Sequence, residues 1–248
     1  MNGTVTPSAA PTRARRLTRA LAYALPVAAV LFGVGLLVRS QWHPLIRLDE
    51  AVIERATAFS RPRADLTDAL VTWQEITQPF KLYVIGAALC LWVWLAKGLR
   101  TRAWWAFGTM MLAWMVGLGA KYLFQRARPE LEDPVSTSPG YSFPSGHALN
   151  SAAWATLVVI LLWPLLERTW ARVVAVAAAV AMVTLTASDR VLLGVHFPSD
   201  VTVGVITGVG LALASYAGYV GWNPSDGEPV DDPDAHPASI DVAERQEH

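Results

Sequence analysis

Six stretches of the chain, 21–38, 82–96, 103–120, 148–166, 173–188 and 201–222, run without a charged residue and are separated by segments that concentrate the charges. Each is close to the ~20 residues a helix needs to cross the hydrocarbon of a bilayer. Most are apolar on every side, whereas helices of a soluble bundle keep a charged outer face. The pattern predicts an all-α fold, a six-transmembrane-helix bundle. Residues 44–76 follow a different rule: Leu45, Leu48, Val52, Ile53, Ala56 and Phe59 recur at spacings near three and four, and Leu66, Ala69, Leu70 and Trp73 follow Pro62. That periodicity predicts two short amphipathic helices at the outer interface, between spans one and two. Packing over the bundle and admission of a substrate are equally compatible with them.

Composition agrees with a membrane class, because 53% of the residues are hydrophobic and only 16% charged. Arg13, Arg15, Arg16 and Arg19 precede a long apolar run with no small-x-small exit before Arg39, which reads as an uncleaved first span rather than a signal peptide. The expected organisation is a basic cytoplasmic segment over 1–20, the six-span domain over 21–222 and an acidic disordered tail over 223–248. The split of charge supports it: residues 224–248 carry a net −7 and the remainder +7. Cys90, the single cysteine, lies in an apolar run and reads as a small hydrophobe. The short loops with Lys97, Arg100 and Arg102, and with Arg168 and Arg172, fall on the same side as the N-terminal arginines. The positive-inside rule makes that side cytoplasmic, although the 39–79 connection adds five arginines on the other. The expectation is a multi-pass protein of the cytoplasmic membrane with both termini cytoplasmic.

The ionisable residues that matter for chemistry sit at the ends of spans, in three groups: Lys121 to Pro129, Pro144 to His147, and Arg190 to Asp200. Parity of crossings returns all three to one face, the extracytoplasmic one by the charge rule. Lys121, Arg128 and Arg190, read as cations without nearby fixed carboxylate partners in sequence, would make a clamp suited to a phosphoryl group. The spacing expects Lys121 and Arg128 along one side of a helix that Pro129 ends. Arg126 reads equally as a flanking charge. Ser145 and Gly146 open a helix whose free N–H groups can cradle an anion, and His147 lies in its first turn. Ser145 is equally a helix cap. His196 and Asp200 suit an imidazole oriented by a carboxylate, or a structural hydrogen bond.

Together, Lys121-x6-Arg128-Pro129, Pro144-Ser145-Gly146-His147 and Arg190-x5-His196-x3-Asp200 resemble the three motifs of the type 2 phosphatidic-acid phosphatase superfamily, in order and in internal spacing. The resemblance covers spans three to six and implies a PAP2-type core. It also implies a phosphatase in which His196 attacks phosphorus, Asp200 orients it, and His147 protonates the leaving alkoxide and then activates water. Lys121, Arg128, Ser145, Gly146 and Arg190 would bind the phosphate. Neither a metal nor a cofactor is implied; the expected partners are a lipid phosphate or pyrophosphate and the membrane, with no nucleic acid, and oligomeric state is not readable. Candidate substrates are undecaprenyl pyrophosphate, phosphatidic acid and phosphatidylglycerol phosphate. One departure is Asp189, where the family pattern has serine. It favours the alternative of a non-catalytic lipid-phosphate binding or transport protein; a vanadium-dependent haloperoxidase is the other rival, disfavoured by the apolar spans.

Overall fold

The computed structural model describes residues 13–130, 136 and 139–220, and regular structure among them is helical throughout. In chain order the helices are α1 (Arg13–Arg39), α2 (His43–Ser60), α3 (Ala64–Ile76), α4 (Pro79–Lys97), α5 (Arg100–Phe124), α6 (Gly146–Leu162), α7 (Thr169–Leu192) and α8 (Pro198–Tyr219), with a 3-10 turn at Trp163–Leu165 closing α6. Six of them, α1 and α4 to α8, are long and apolar enough to cross a membrane. Helix is the form this composition needs, because a strand or loop in hydrocarbon would leave backbone N–H and C=O groups without partners.

The first span is longer than its apolar run, since α1 starts at Arg13 rather than Leu21. Residues 13–20 of the basic segment therefore continue the helix. The other residues of that segment and the tail expected to be disordered over 223–248 lie outside the described residues. The 44–76 connection forms the two helices its periodicity predicts, but they differ in burial. Asp49, Ile53, Thr57 and Ser60 of α2 are buried at helical spacing, whereas α3 has no fully buried residue. Ser60 Oγ donates to the Leu192 carbonyl (2.6 Å) and Trp73 Nε1 to Thr186 Oγ1 (3.1 Å), so both helices are fastened to α7.

The centre of the bundle is α6, which packs most extensively on α8. Glycine makes that contact close: a methyl at Gly204 would stand 2.9 Å from the Ser145 carbonyl, and one at Gly208 would stand 2.9 Å from the Ala153 nitrogen. Small residues four apart let two membrane helices meet backbone to backbone. The effect here is to bring the start of α6 against the start of α8. The loop entering α6 is anchored from below by Phe143, fully buried and edge-on to Phe124 with ring centroids 5.3 Å apart.

Candidate active site

At one end of the bundle the last turn of α5, the 139–145 loop, the first turn of α6, the end of α7 and the first turn of α8 meet. The expectation of a continuous helix through Arg128 is corrected here. Gln125 takes a positive φ of 50° and ends α5 after Phe124, and the residue before Pro129 is in any case disfavoured in helical geometry. The chain then runs irregularly, and the Arg126 carbonyl accepts from the Ser142 N–H (2.8 Å). Arg128 reaches the site from this segment, and Lys121 from the helix.

His196 is nearly fully buried in the turn between α7 and α8. One side of its ring, Nε2, lies 3.1 Å from Arg128 Nη1, and the other, Nδ1, lies 3.3 Å from Ser142 Oγ and 3.6 Å from Asp200 Oδ2. A guanidinium can only donate, so Nε2 is the accepting nitrogen and Nδ1 carries the proton. Ser142 Oγ passes that contact on by donating to Asp200 Oδ2 at 2.5 Å. Burial pulls the imidazole pKa down to about 4, against the upward pull of Asp200, and the Arg128 charge adds to the lowering. At neutral pH the ring is therefore uncharged, with its lone pair on Nε2, where it accepts from Arg128.

Asp200 is held on every side. Its Oδ2 also accepts the Phe197 N–H (3.0 Å), and its Oδ1 accepts from Arg126 Nη1 (2.6 Å). Arg126 continues to Asp49 Oδ2 through Nη2 (2.7 Å) and to Ser199 Oγ through Nη1 (2.8 Å), with its guanidinium 4.1 Å from the centre of the Phe197 ring. Asp49 in turn accepts the Ser199 N–H (3.0 Å) and hydroxyl (2.5 Å). Arg126, Asp49 and Asp200 are all buried, so each charge depends on the others for the solvation water no longer supplies. Arg126 is thus a structural ion-pair partner, not a flanking charge.

The cations line the other side of His196. Lys121 Nζ donates to the Tyr141 carbonyl (2.6 Å), and its Cε lies 3.6 Å from where a side chain on Gly146 would begin. Arg128 donates to the carbonyls of Gly140 (2.9 Å), Val195 (2.8 Å) and Pro139 (3.2 Å). Burial lowers the Arg128 pKa from its ordinary value; Asp200 opposes that and Arg190 adds to it, and the group remains a cation. Arg190 is fully buried, and its Nε and Nη2 both donate to Asp189 Oδ2, the former at 2.7 Å.

Among the described residues, the buried polar atoms without a partner at this end include three that can donate, Ser145 Oγ, His147 Nε2 and Arg190 Nη1, and one acceptor, Asp189 Oδ1. Arg190, Arg128 and Lys121 are cations within electrostatic reach of His147, and the Lys121 side chain packs beside Gly146 at the start of the same helix. The Ser145 hydroxyl makes no capping bond to α6, while the Ser145 N–H donates to the Asp200 carbonyl (3.0 Å) and ties the two helix starts together. Unpartnered buried polar atoms are rare unless something else binds them. A tetrahedral oxyanion would satisfy the three donors, beside the neutral imidazole of His196.

All eight residues singled out in the sequence lie at this end. Sequence reasoning missed Ser142, Asp49 and Ser199. For Asp49 a signal existed, since it is four residues from both Leu45 and Ile53 and so sits on the apolar stripe of α2. For Ser142 none did, because its contact depends on how the 139–145 loop folds back.

The PAP2 superfamily profile matches residues 102–223. Phosphatidylglycerophosphatase B of Escherichia coli (strain K12) is 37% identical over 81 residues, 33% of this chain and 29% of its own length. Decaprenylphosphoryl-5-phosphoribose phosphatase of Mycobacterium tuberculosis (strain CDC 1551 / Oshkosh) is 34% identical over 125 residues, 48% of this chain and 64% of its own. The match thus spans less than a third of the Escherichia coli relative and under two thirds of the mycobacterial one. Among solved structures, a transmembrane PAP2-type phosphatidylglycerolphosphate phosphatase from Bacillus subtilis shares the fold with a TM-score of 0.62 at 23% identity, over 75% of this chain and 92% of that one.

Proposed function

We propose that this chain, whose residues 102–223 belong to the PAP2 superfamily, is an integral-membrane lipid phosphatase that works through a phosphohistidine on His196. The observation that carries the reading is the division of the His196 ring, with Nδ1 on Ser142 and Asp200 and Nε2 turned to Arg128. In the first step the Nε2 lone pair bonds to phosphorus and the bond from phosphorus to the leaving oxygen breaks. His147, protonated at Nε2, gives its proton to that oxygen. In the second step neutral His147 takes a proton from water, whose oxygen displaces His196 and releases inorganic phosphate.

Lys121, Arg128, the free Nη1 of Arg190, the Ser145 hydroxyl and the first-turn N–H groups of α6 would hold the phosphoryl oxygens. Ser145 Oγ and Arg190 Nη1 are unpartnered before substrate arrives, and preorganised donors lower a barrier without reorganisation; Lys121 and Arg128 would exchange carbonyl partners for phosphoryl oxygens. The charge they supply would replace a metal ion, so activity should survive EDTA. The loop charges support a reading in which this end of the bundle faces the extracytoplasmic side and both termini are cytoplasmic.

The test is phosphate release by the detergent-solubilised protein in EDTA from undecaprenyl pyrophosphate, phosphatidic acid and phosphatidylglycerol phosphate. We expect release from at least one of them, and its loss by at least about a thousandfold in His196→Ala. A folded protein inactive on all three, or strictly dependent on added Mg²⁺, would contradict the reading. A second reading, binding without turnover, draws on one observation: Asp189 occupies two of the Arg190 donors.

A further inference from the structure

His147 opens into a cavity of about 420 Å³ whose wall does not include His196 and is formed by α3, the start of α4, Trp114 of α5 and Pro139. Its walls combine two kinds of surface. Phe80, 68% exposed, and Trp114 are apolar and stand at the rim. Gln74 and Glu75 are polar, and the side-chain oxygen of Gln74 is enclosed without a hydrogen-bond partner, as is His147 Nε2. The Glu75 carboxylate accepts from Gln78 Nε2 (2.7 Å) and lies 3.5 Å from Lys81 Nζ.

An in-line displacement puts the leaving oxygen opposite the attacking nitrogen, hence toward His147, and the rest of the leaving group into this cavity. That step rests on the phosphatase reading above. We infer that the cavity holds the leaving alcohol and that Gln74 and Glu75 select alcohols bearing a further free hydroxyl, such as a glycerol or a sugar carried on the lipid. A hydroxyl donates and accepts, so it satisfies the enclosed amide of Gln74 in either of its orientations. A plain diacylglycerol leaves that group unpaired, which is the situation that sites built for a hydroxyl discriminate against. A departing phosphate brings negative charge toward the Glu75 carboxylate, which disfavours pyrophosphates. The apolar rim at Phe80 gives the attached chains a lateral way out.

The experiment compares kcat/KM of the purified full chain for short-chain phosphatidylglycerol phosphate and for its analogue with a propane-1,3-diol spacer, which lacks only the free hydroxyl. The expected preference for the hydroxylated ester is about tenfold, the worth of one buried hydrogen bond, and it falls to about one in Gln74→Met, which keeps the volume and removes the amide. Equal rates in the parent chain, or a preference unchanged in Gln74→Met, would overturn the inference and leave the phosphatase reading standing. Undecaprenyl pyrophosphate cleaved as well as the hydroxylated ester would overturn the part assigned to Glu75. Failure of the folded parent on every substrate would remove both readings at once.

Discussion

His196 has a different neighbour on each ring nitrogen, and in the proposed mechanism that difference selects Nε2 as the nucleophile. With Arg128 at Nε2 and Ser142 at Nδ1, and with a pKa pulled down to about 4 by burial, the ring should remain neutral through the physiological range. An NMR titration of histidine-labelled protein should show His196 protonating only as pH falls to about 4, with the proton on Nδ1 above that; a midpoint near the ordinary 6.5 would contradict the geometry. Ser142→Ala removes the link between Nδ1 and Asp200, and about tenfold should be lost from kcat with little change in KM, since the group acts on orientation and not on substrate. Asp189→Ser should raise kcat/KM, by up to about tenfold, because it releases two Arg190 donors toward the phosphate. Unchanged or lower kcat/KM would show that Asp189 holds Arg190 in place instead. The histidines and cations were legible in the sequence because each carries its chemistry in its side chain. Ser142 was not, because a serine acquires that role only from a loop conformation that no local spacing encodes.

At the scale of elements, the site is the meeting of two helix starts, and glycine sets their distance. Gly208→Leu puts a branched side chain into the backbone of Leu149 and Ala153, and should destabilise the bundle by about 1–3 kcal/mol, read as earlier thermal unfolding in detergent. The amphipathic helix α2 adds a third support, by delivering Asp49 to Arg126 and Ser199 at the start of α8. Asp49→Ala leaves Arg126 half-paired in a buried setting and should cost about 3 kcal/mol; a surface-like loss near zero would mean that water reaches this network. The apolar runs foretold the spans because hydrocarbon permits few alternatives to helix. The end of α5 was misjudged because the stop lies in one residue, Gln125, whose left-handed backbone is not a glycine signature. The two interfacial helices were legible as helices, but which of them is buried depended on what α7 and α8 offer them.

At the scale of the molecule, the described residues hold six helices long enough to cross a membrane, with the proposed phosphate-binding groups at one end, where spans three to six begin or finish. That end carries the two histidines of the proposed anion site, one with a held tautomer and one unpartnered at Nε2. The account stands most directly on the covalent step. Mixing the protein with lipid phosphate, quenching within a turnover and sequencing its peptides by mass spectrometry should find an acid-labile phosphoryl group on His196, more abundant in His147→Ala, where hydrolysis of the intermediate is slowed, and absent in His196→Ala. Turnover with no adduct at His196 in either background, or undiminished turnover in His196→Ala, would contradict it.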